Sequence, residues 1–279
     1  MDLEQAFLKT LESSGVVWGL GDDGVRLDTH QCVYMLDLFS EGVHFKRGWL
    51  NCAQIGYKAV CVNVSDAIAM AACPKYALLG LQLPRGCNLA EIRQLVAGIA
   101  KACQEFKIKI VGGDTTLGKA LSLSVTLIAK SSKPLERTKI RPKDLLVHTG
   151  KLGQSYKDLR ALLRGGRVSP KSKFVCPKLQ NLLKFILSVR PFVRAGLDIS
   201  DGLLAECNRL SRLNKLACKL DKPYNKAYLS GEEYELLLSA PPRHKLALLR
   251  RAKQQRVQLN FVGVVCRGLS HYRPKIWHA

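Results

Sequence analysis

Acidic residues are nearly missing from the middle of this 279-residue chain: between positions 130 and 195 only Glu136, Asp144 and Asp158 stand against seventeen lysines and arginines. The same stretch is poor in aromatics, holding only Tyr156, Phe174, Phe185 and Phe192, so its charge is not interleaved with a base-stacking platform. No uninterrupted apolar run reaches the roughly 18 to 20 residues that span a bilayer, which leaves a membrane helix without a candidate. The first eleven residues mix Asp2, Glu4 and Lys9 with Leu3, Phe7 and Leu8, a pattern that predicts an amphipathic helix rather than a secretory leader. A cytoplasmic protein is therefore expected. None of the ten cysteines forms a C-x-x-C pair, and neither zinc spacing nor a D-x-[DN]-x-[DN]-G calcium loop is present. The cysteines read as reduced, mostly buried thiols.

What is present points to a folded chain with an uneven charge plan. Hydrophobic residues make up 47% of the sequence, with only 11 prolines. Residues 1 to 129 carry twelve basic and twelve acidic side chains, so the formal net charge of +22 comes entirely from the remainder. A basic half of this kind attracts polyanions or phosphorylated small molecules.

Short apolar runs alternate with helix-length segments. Strands are predicted over Cys32–Leu38, Tyr76–Leu83, Ile108–Val111, Leu121–Ala129, Leu145–Thr149, Tyr234–Ala240 and Leu259–Val265. Helices are predicted over Asn88–Phe106, Tyr156–Leu163 and Leu179–Leu187. Ala59–Ala72 reads both ways, since Val60, Val62 and Val64 alternate while its length and alanine content favour a helix. Pro134 and Pro142, among charged residues, mark a junction where the charge balance changes. The expected division is residues 1–136, an N-terminal acidic-motif domain, and residues 137–279, a C-terminal basic α/β domain.

The first half places acids where a surface aspartate would be out of place. Gly21-Asp22-Asp23-Gly24 is a turn, Asp37 ends an apolar run, Asp66 interrupts one, and Asp114 follows Gly112-Gly113. The second half adds Asp198-Ile199-Ser200-Asp201-Gly202 after an apolar approach. Burying a carboxylate costs several kcal/mol unless it is paired or bound to a cation, so several converging carboxylates ask for one. Magnesium fits a set made of oxygen donors, and glycines beside the acids let backbone amides approach phosphate. Each motif also has a plainer reading: a β-turn for Gly-Asp-Asp-Gly, a helix N-cap by Ser200 or Asp201, a satisfied buried acid for Asp66, and for His44 a strand-end histidine bonded to a local carbonyl.

Read in order, the strings Gly21-Asp22-Asp23, DLFSEGVHF (37–45), GYKAVCVNVSDAIAM (56–70), GGDTTLG (112–118), DISDGL (198–203) and GEEYEL (231–236) resemble the thiamine-monophosphate kinase family. The resemblance runs from about Gly19 to the C-terminus. It implies two α/β domains of α+β type, an N-terminal mixed-sheet domain that dimerises and a C-terminal domain, with ATP in the cleft between them. It further implies transfer of a phosphoryl group from ATP to thiamine monophosphate with more than one Mg²⁺. The metal ligands it implies are Asp23, Asp37, Asp66, Asp114, Asp198 and Asp201, with Asp114 and Asp201 catalytic. Gly113, Asp114, Arg137 and Ser200 would meet the nucleotide, and His44, Glu232 and Trp277 the acceptor. The partners expected are the two substrates and a second copy of the chain, with neither membrane nor nucleic acid. Four positions depart from the family pattern: Leu36 and Leu38 replace hydroxyl residues, Leu117 an arginine, and Glu233 an aspartate. The alternatives are a related synthetase of the aminoimidazole ribonucleotide type, or a noncatalytic nucleotide- or nucleic-acid-binding protein.

Overall fold

The computed structural model describes residues 24–27 and 31–275. The expected helix over Met1–Leu11, Asp23 of the first acidic motif and Trp277 lie outside the described residues. Two five-stranded sheets organise the rest. The first has the order β1-β2-β5-β3-β4, built from Val25–Leu27 (β1), Cys32–Ser40 (β2), Cys73–Pro84 (β3), Lys109–Gly118 (β4) and Ser122–Lys130 (β5). It is mixed, because β3 and β4 run parallel while the other pairs are antiparallel. The second has the order β7-β9-β6-β10-β8, from Leu145–Thr149 (β6), Ala195–Asp198 (β7), Leu216–Leu220 (β8), Leu236–Ala240 (β9) and Leu259–Arg267 (β10). All its pairings are antiparallel, so the α+β description holds and a parallel α/β one does not.

The ambiguous segment is helical as far as Ala69. Helix α1 spans Cys52–Ala69 and starts eight residues before the valine alternation, at a capping box in which Asn51 and Gln54 bond each other's backbone amides. Thirteen of its eighteen residues are buried, which explains the uninformative pattern: a helix enclosed on nearly all sides has no polar stripe to reveal its period. Helix α2 (Leu89–Phe106) packs across α1 where Gly56 and Gly98 let the backbones meet. A Cβ at Gly98 would lie 1.9 Å from the carbonyl oxygen of Ala53, and one at Gly56 2.3 Å from that of Leu95. Gly98→Ala should therefore force the helices apart and cost about 1–3 kcal/mol, read as a lower urea midpoint.

The second sheet is sandwiched by helices. On one side its core is continuous with that of the first sheet through α1 and α4 (Gln180–Val189), with Phe185, Ile186, Leu236 and Leu238 in one apolar body with Val60 and Val64. On the other, α5 (Leu203–Asn214) packs Leu203, Cys207 and Leu210 against Leu146 and Leu197. Helices α3 (Gln154–Leu163) and α6 (Lys245–Gln255) complete the layer. All ten cysteines are free thiols, five of them buried and five partly so.

Strand β4 corrects a boundary. It runs on through the whole of GGDTTLG instead of ending at Val111. Its register slips between Ile110 and Gly112, and Gly113 has φ 153° with its Cα against Leu79, where a Cβ would come 2.0 Å from the carbonyl oxygen. The glycine pair thus has a packing reason of its own, independent of phosphate.

Candidate active site

The motifs of Asp37, Asp66 and Asp198 lie along α1 and the strands it packs against. On β2, Met35, Asp37 and Phe39 share the face turned to α1, whereas Leu36 and Leu38 lie on the other face and are more than half exposed. The family's hydroxyls are therefore lost from a face opposite to the Asp37 carboxylate. The Asp37 backbone amide donates to Asn63 Oδ1 at 3.0 Å. Farther along the same helix, Ser65 donates to Asp198 Oδ2 at 2.7 Å, which ties α1 to the end of β7.

Asp198 is buried, and burial pushes its carboxyl up to about 6; the Ser65 hydroxyl and Arg137 oppose the shift and Asp37 adds to it. Tyr234, also buried, has its phenol raised by burial and then by the charges of Glu232, Asp37, Asp198 and Asp66. One tyrosine therefore senses four acids from β2, α1, β7 and the 231–236 segment. Asp37, Asp66, Asp198 and Glu232 thus all lie within electrostatic reach of Tyr234, and Arg137 lies within reach of Asp198.

The DISDG and GEEYEL segments are laced to each other. Glu232 N donates to Ser200 O at 2.6 Å, Tyr234 N to Ile199 O at 3.0 Å, and Ile199 N to Glu235 O at 2.7 Å. This pairing holds Glu232 and Tyr234 at φ 53° and 51°, a left-handed conformation that costs of order 1–3 kcal/mol at each such residue. The capping alternative for Ser200 and Asp201 does not hold, since the N-cap of α5 is Gly202 and no side chain caps that helix. Asp201 instead takes Arg209 at 2.9 Å. His44 also differs from its plainer reading: its Nδ1 accepts the Ser40 backbone N–H at 3.1 Å rather than donating to a carbonyl, which leaves the proton on Nε2.

Several residues have structural roles that the sequence did not assign them. Lys58, fully buried in mid-α1, donates to Glu232 Oε2 at 2.9 Å and lies 3.9 Å from the centre of the Phe174 ring. Glu206 is also fully buried and its carboxyl is pushed up to about 8, by burial above all. Glu233, the family departure, has a structural role. Its Oε1 accepts from Gly153 N at 2.8 Å, Ser155 N at 3.1 Å and Ser230 Oγ at 2.6 Å, and its Oε2 from Lys173 at 3.1 Å. It supplies the cap that Gly153 cannot give α3. The extra methylene is accommodated by these four donors.

The raised carboxyls of Asp198 and Glu206 fix a sign for pH dependence. Each is protonated over a wider range in the folded chain than in the unfolded one, so stability is lost as pH rises from about 4 toward 8. With chelator present, the melting temperature should fall between pH 5 and pH 8.5, each unit of raised pKa accounting for about 1.4 kcal/mol. Glu206→Gln should flatten that slope; a slope unchanged by it would contradict the assignment.

Asp114 stands apart within one chain. It lies exposed on edge strand β4 opposite Gly80, with β5 and β3 between it and the β2 strand of Asp37, about 14 Å away at ordinary strand spacing. Among the described residues no three His, Cys, Asp or Glu side chains enclose a ready cation cage. The donors still fit magnesium: they are carboxylates, and Glu232 keeps a buried Oε1 without a hydrogen-bond partner. Mg²⁺ retains waters and is usually held by one or two carboxylates together with substrate phosphate, so a closed protein cage is not required.

These features agree with known proteins. Residues 21–130 match the family described as AIR synthase related protein, N-terminal domain. The thiamine-monophosphate kinase of Aquifex aeolicus is 30% identical over 84% of this chain and 83% of its own length, and that of Bacillus subtilis is 29% identical over 76% and 69%. The solved structure of AaThiL complexed with AMPPCP and TMP superposes with a TM-score of 0.79 at 25% identity, covering 98% of this chain and 96% of that one. With the acidic motifs in order and likeness of this extent on both sides of the junction, the chain belongs to the thiamine-monophosphate kinase family.

Proposed function

We propose that the protein transfers the terminal phosphoryl group of ATP to thiamine monophosphate, giving thiamine diphosphate and ADP. The observation that carries this reading is that Asp37, Asp66, Asp198 and Glu232 all lie within electrostatic reach of Tyr234, in a chain of this family. The acceptor phosphate is already anionic near neutral pH, so its attacking oxygen needs little help from a base. Repulsion between two anions is the problem to be solved.

Magnesium, more than one ion, would supply charge neutralisation and alignment for in-line transfer. Asp23, Asp37, Asp66, Asp114, Asp198 and Asp201 are the residues we assign to hold it. Gly113, Asp114, Arg137 and Ser200 would position the nucleotide, while His44, Glu232 and Trp277 hold the acceptor. Glu232 is suited to that role because Lys58 fixes one of its oxygens and leaves the other without a partner. His44 presents a donor at Nε2 for the same reason of local bonding.

The division at 136/137 fits the separation of the two sheets, whose strands end at Lys130 and resume at Leu145. Residues 1–136 would then carry metal, ATP and dimer contacts, and residues 137–279 would complete the site. A homodimer is supported by the first sheet, whose outer face and edge expose Leu36, Leu38, Leu78, Ile110 and Leu117. Such an interface would include Asp114. No helix among the described residues is long and apolar enough to cross a membrane, in keeping with a cytoplasmic enzyme.

The direct test is purified protein with ATP, Mg²⁺ and thiamine monophosphate, with an aminoimidazole precursor as control acceptor. Magnesium-dependent thiamine diphosphate is the expected product. MgATP binding without any such product would overturn the reading.

A further inference from the structure

Asp201 and Arg209 form a closed ring with a third group. The guanidinium gives Nη2 to Asp201 Oδ2 at 2.9 Å and Nη1 to Glu206 Oε2 at 2.6 Å. Glu206 returns to the start of the ring, its Oε1 accepting the Asp201 backbone N–H at 3.3 Å. The three members differ in freedom. Glu206 is fully buried and fixed on α5, whereas the Asp201 and Arg209 side chains are each about one-third exposed. The guanidinium can therefore release Asp201 while Nη1 remains tethered to Glu206.

We infer that Arg209 is a positioning residue: a built-in counter-ion that occupies the Asp201 carboxylate, held there by Glu206, until metal and nucleotide arrive together. This rests on the reading of Asp201 as a metal ligand. A divalent cation approaching Asp201 alone meets a guanidinium already bonded to the same carboxylate. Even at water-like screening that repulsion lowers affinity about tenfold. A polyphosphate changes the balance, because its oxygens offer the guanidinium another planar, charge-assisted acceptor as it leaves Asp201. Metal occupancy at Asp201 thus becomes coupled to nucleotide.

Mn²⁺ binding to the full chain, followed by electron paramagnetic resonance with and without ATP, tests this without reference to turnover. Without nucleotide, Arg209→Gln should bind Mn²⁺ about tenfold more tightly than the wild type, and adding Asp201→Asn should cancel the gain. With ATP the two proteins should differ much less. A structural role alone would not tighten metal binding. Should Arg209→Gln fail to fold, Arg209→Lys keeps the charge but not the fork, and an intermediate gain is expected. Unchanged or weaker nucleotide-free binding in the folded variant overturns the inference. If Asp201→Asn leaves Mn²⁺ binding with ATP untouched, the underlying reading of Asp201 falls as well; if it weakens that binding while Arg209→Gln changes nothing, only the counter-ion role falls.

Discussion

Asp198→Asn should lower kcat/KM by about three orders of magnitude while leaving the melting temperature unchanged or raised, because the two properties depend on the carboxylate in opposite ways. The asparagine side chain is isosteric, and its amide oxygen can still accept the Ser65 hydroxyl that Asp198 takes at 2.7 Å. The charge is what disappears. In the folded chain that charge is unfavourable, since burial lifts the carboxyl from 3.8 to about 6. Carrying it ionised at neutral pH costs about 3 kcal/mol, a cost that a bound cation would offset and an asparagine does not incur. Steady-state kinetics and thermal melting on the same preparation check both parts. Activity within tenfold of the wild type would remove Asp198 from the site, and loss of activity together with loss of fold would make it a packing residue.

The greatest loss of stability is expected at a residue to which the sequence assigned no role. Lys58→Met should destabilise the chain by about 3–5 kcal/mol, because it leaves the Glu232 carboxylate buried with neither oxygen paired. Lys58→Met with Glu232→Leu should recover most of that loss, since an apolar pair of similar volume avoids the desolvation of both charges. Urea unfolding of the two variants measures the difference. If Lys58→Met alone costs less than about 1 kcal/mol, the ion pair does not hold α1 to the 231–236 segment.

Local chemistry was enough to expose much of the fold. β2 and β5 alternate buried residues with less buried ones, and α2 opens on an Asn88–Glu91 capping box with an apolar stripe behind it. Such elements are half-buried, so their period is written in the residues. Elements enclosed on all sides, or short and mostly apolar, lacked that contrast. α1 read both ways, and β7, only four residues and wholly buried, was not foreseen. The acidic motifs were visible for a related reason: Asp66 in an apolar stretch and Asp198 after one are residue types that such surroundings penalise.

Residue order alone carried the candidate acids, the metal-bridged phosphate that hard oxygen donors beside glycines suggest, and the family resemblance that implies the reaction class. Which of those acids share a field, and which stand apart, emerged with the packed chain. The fold brings Asp37, Asp66 and Asp198 from three elements within electrostatic reach of Tyr234, leaves Asp114 beyond two intervening strands, and gives Glu233 to the start of α3. It also brings in Lys58, Glu206 and Arg209, whose partners lie 174, 5 and 8 residues away. The cause is physical. A charge declares itself in a sequence through the burial of its neighbours, but its partner is chosen by distance in space, and distance is settled only when the sheets and α1 have packed.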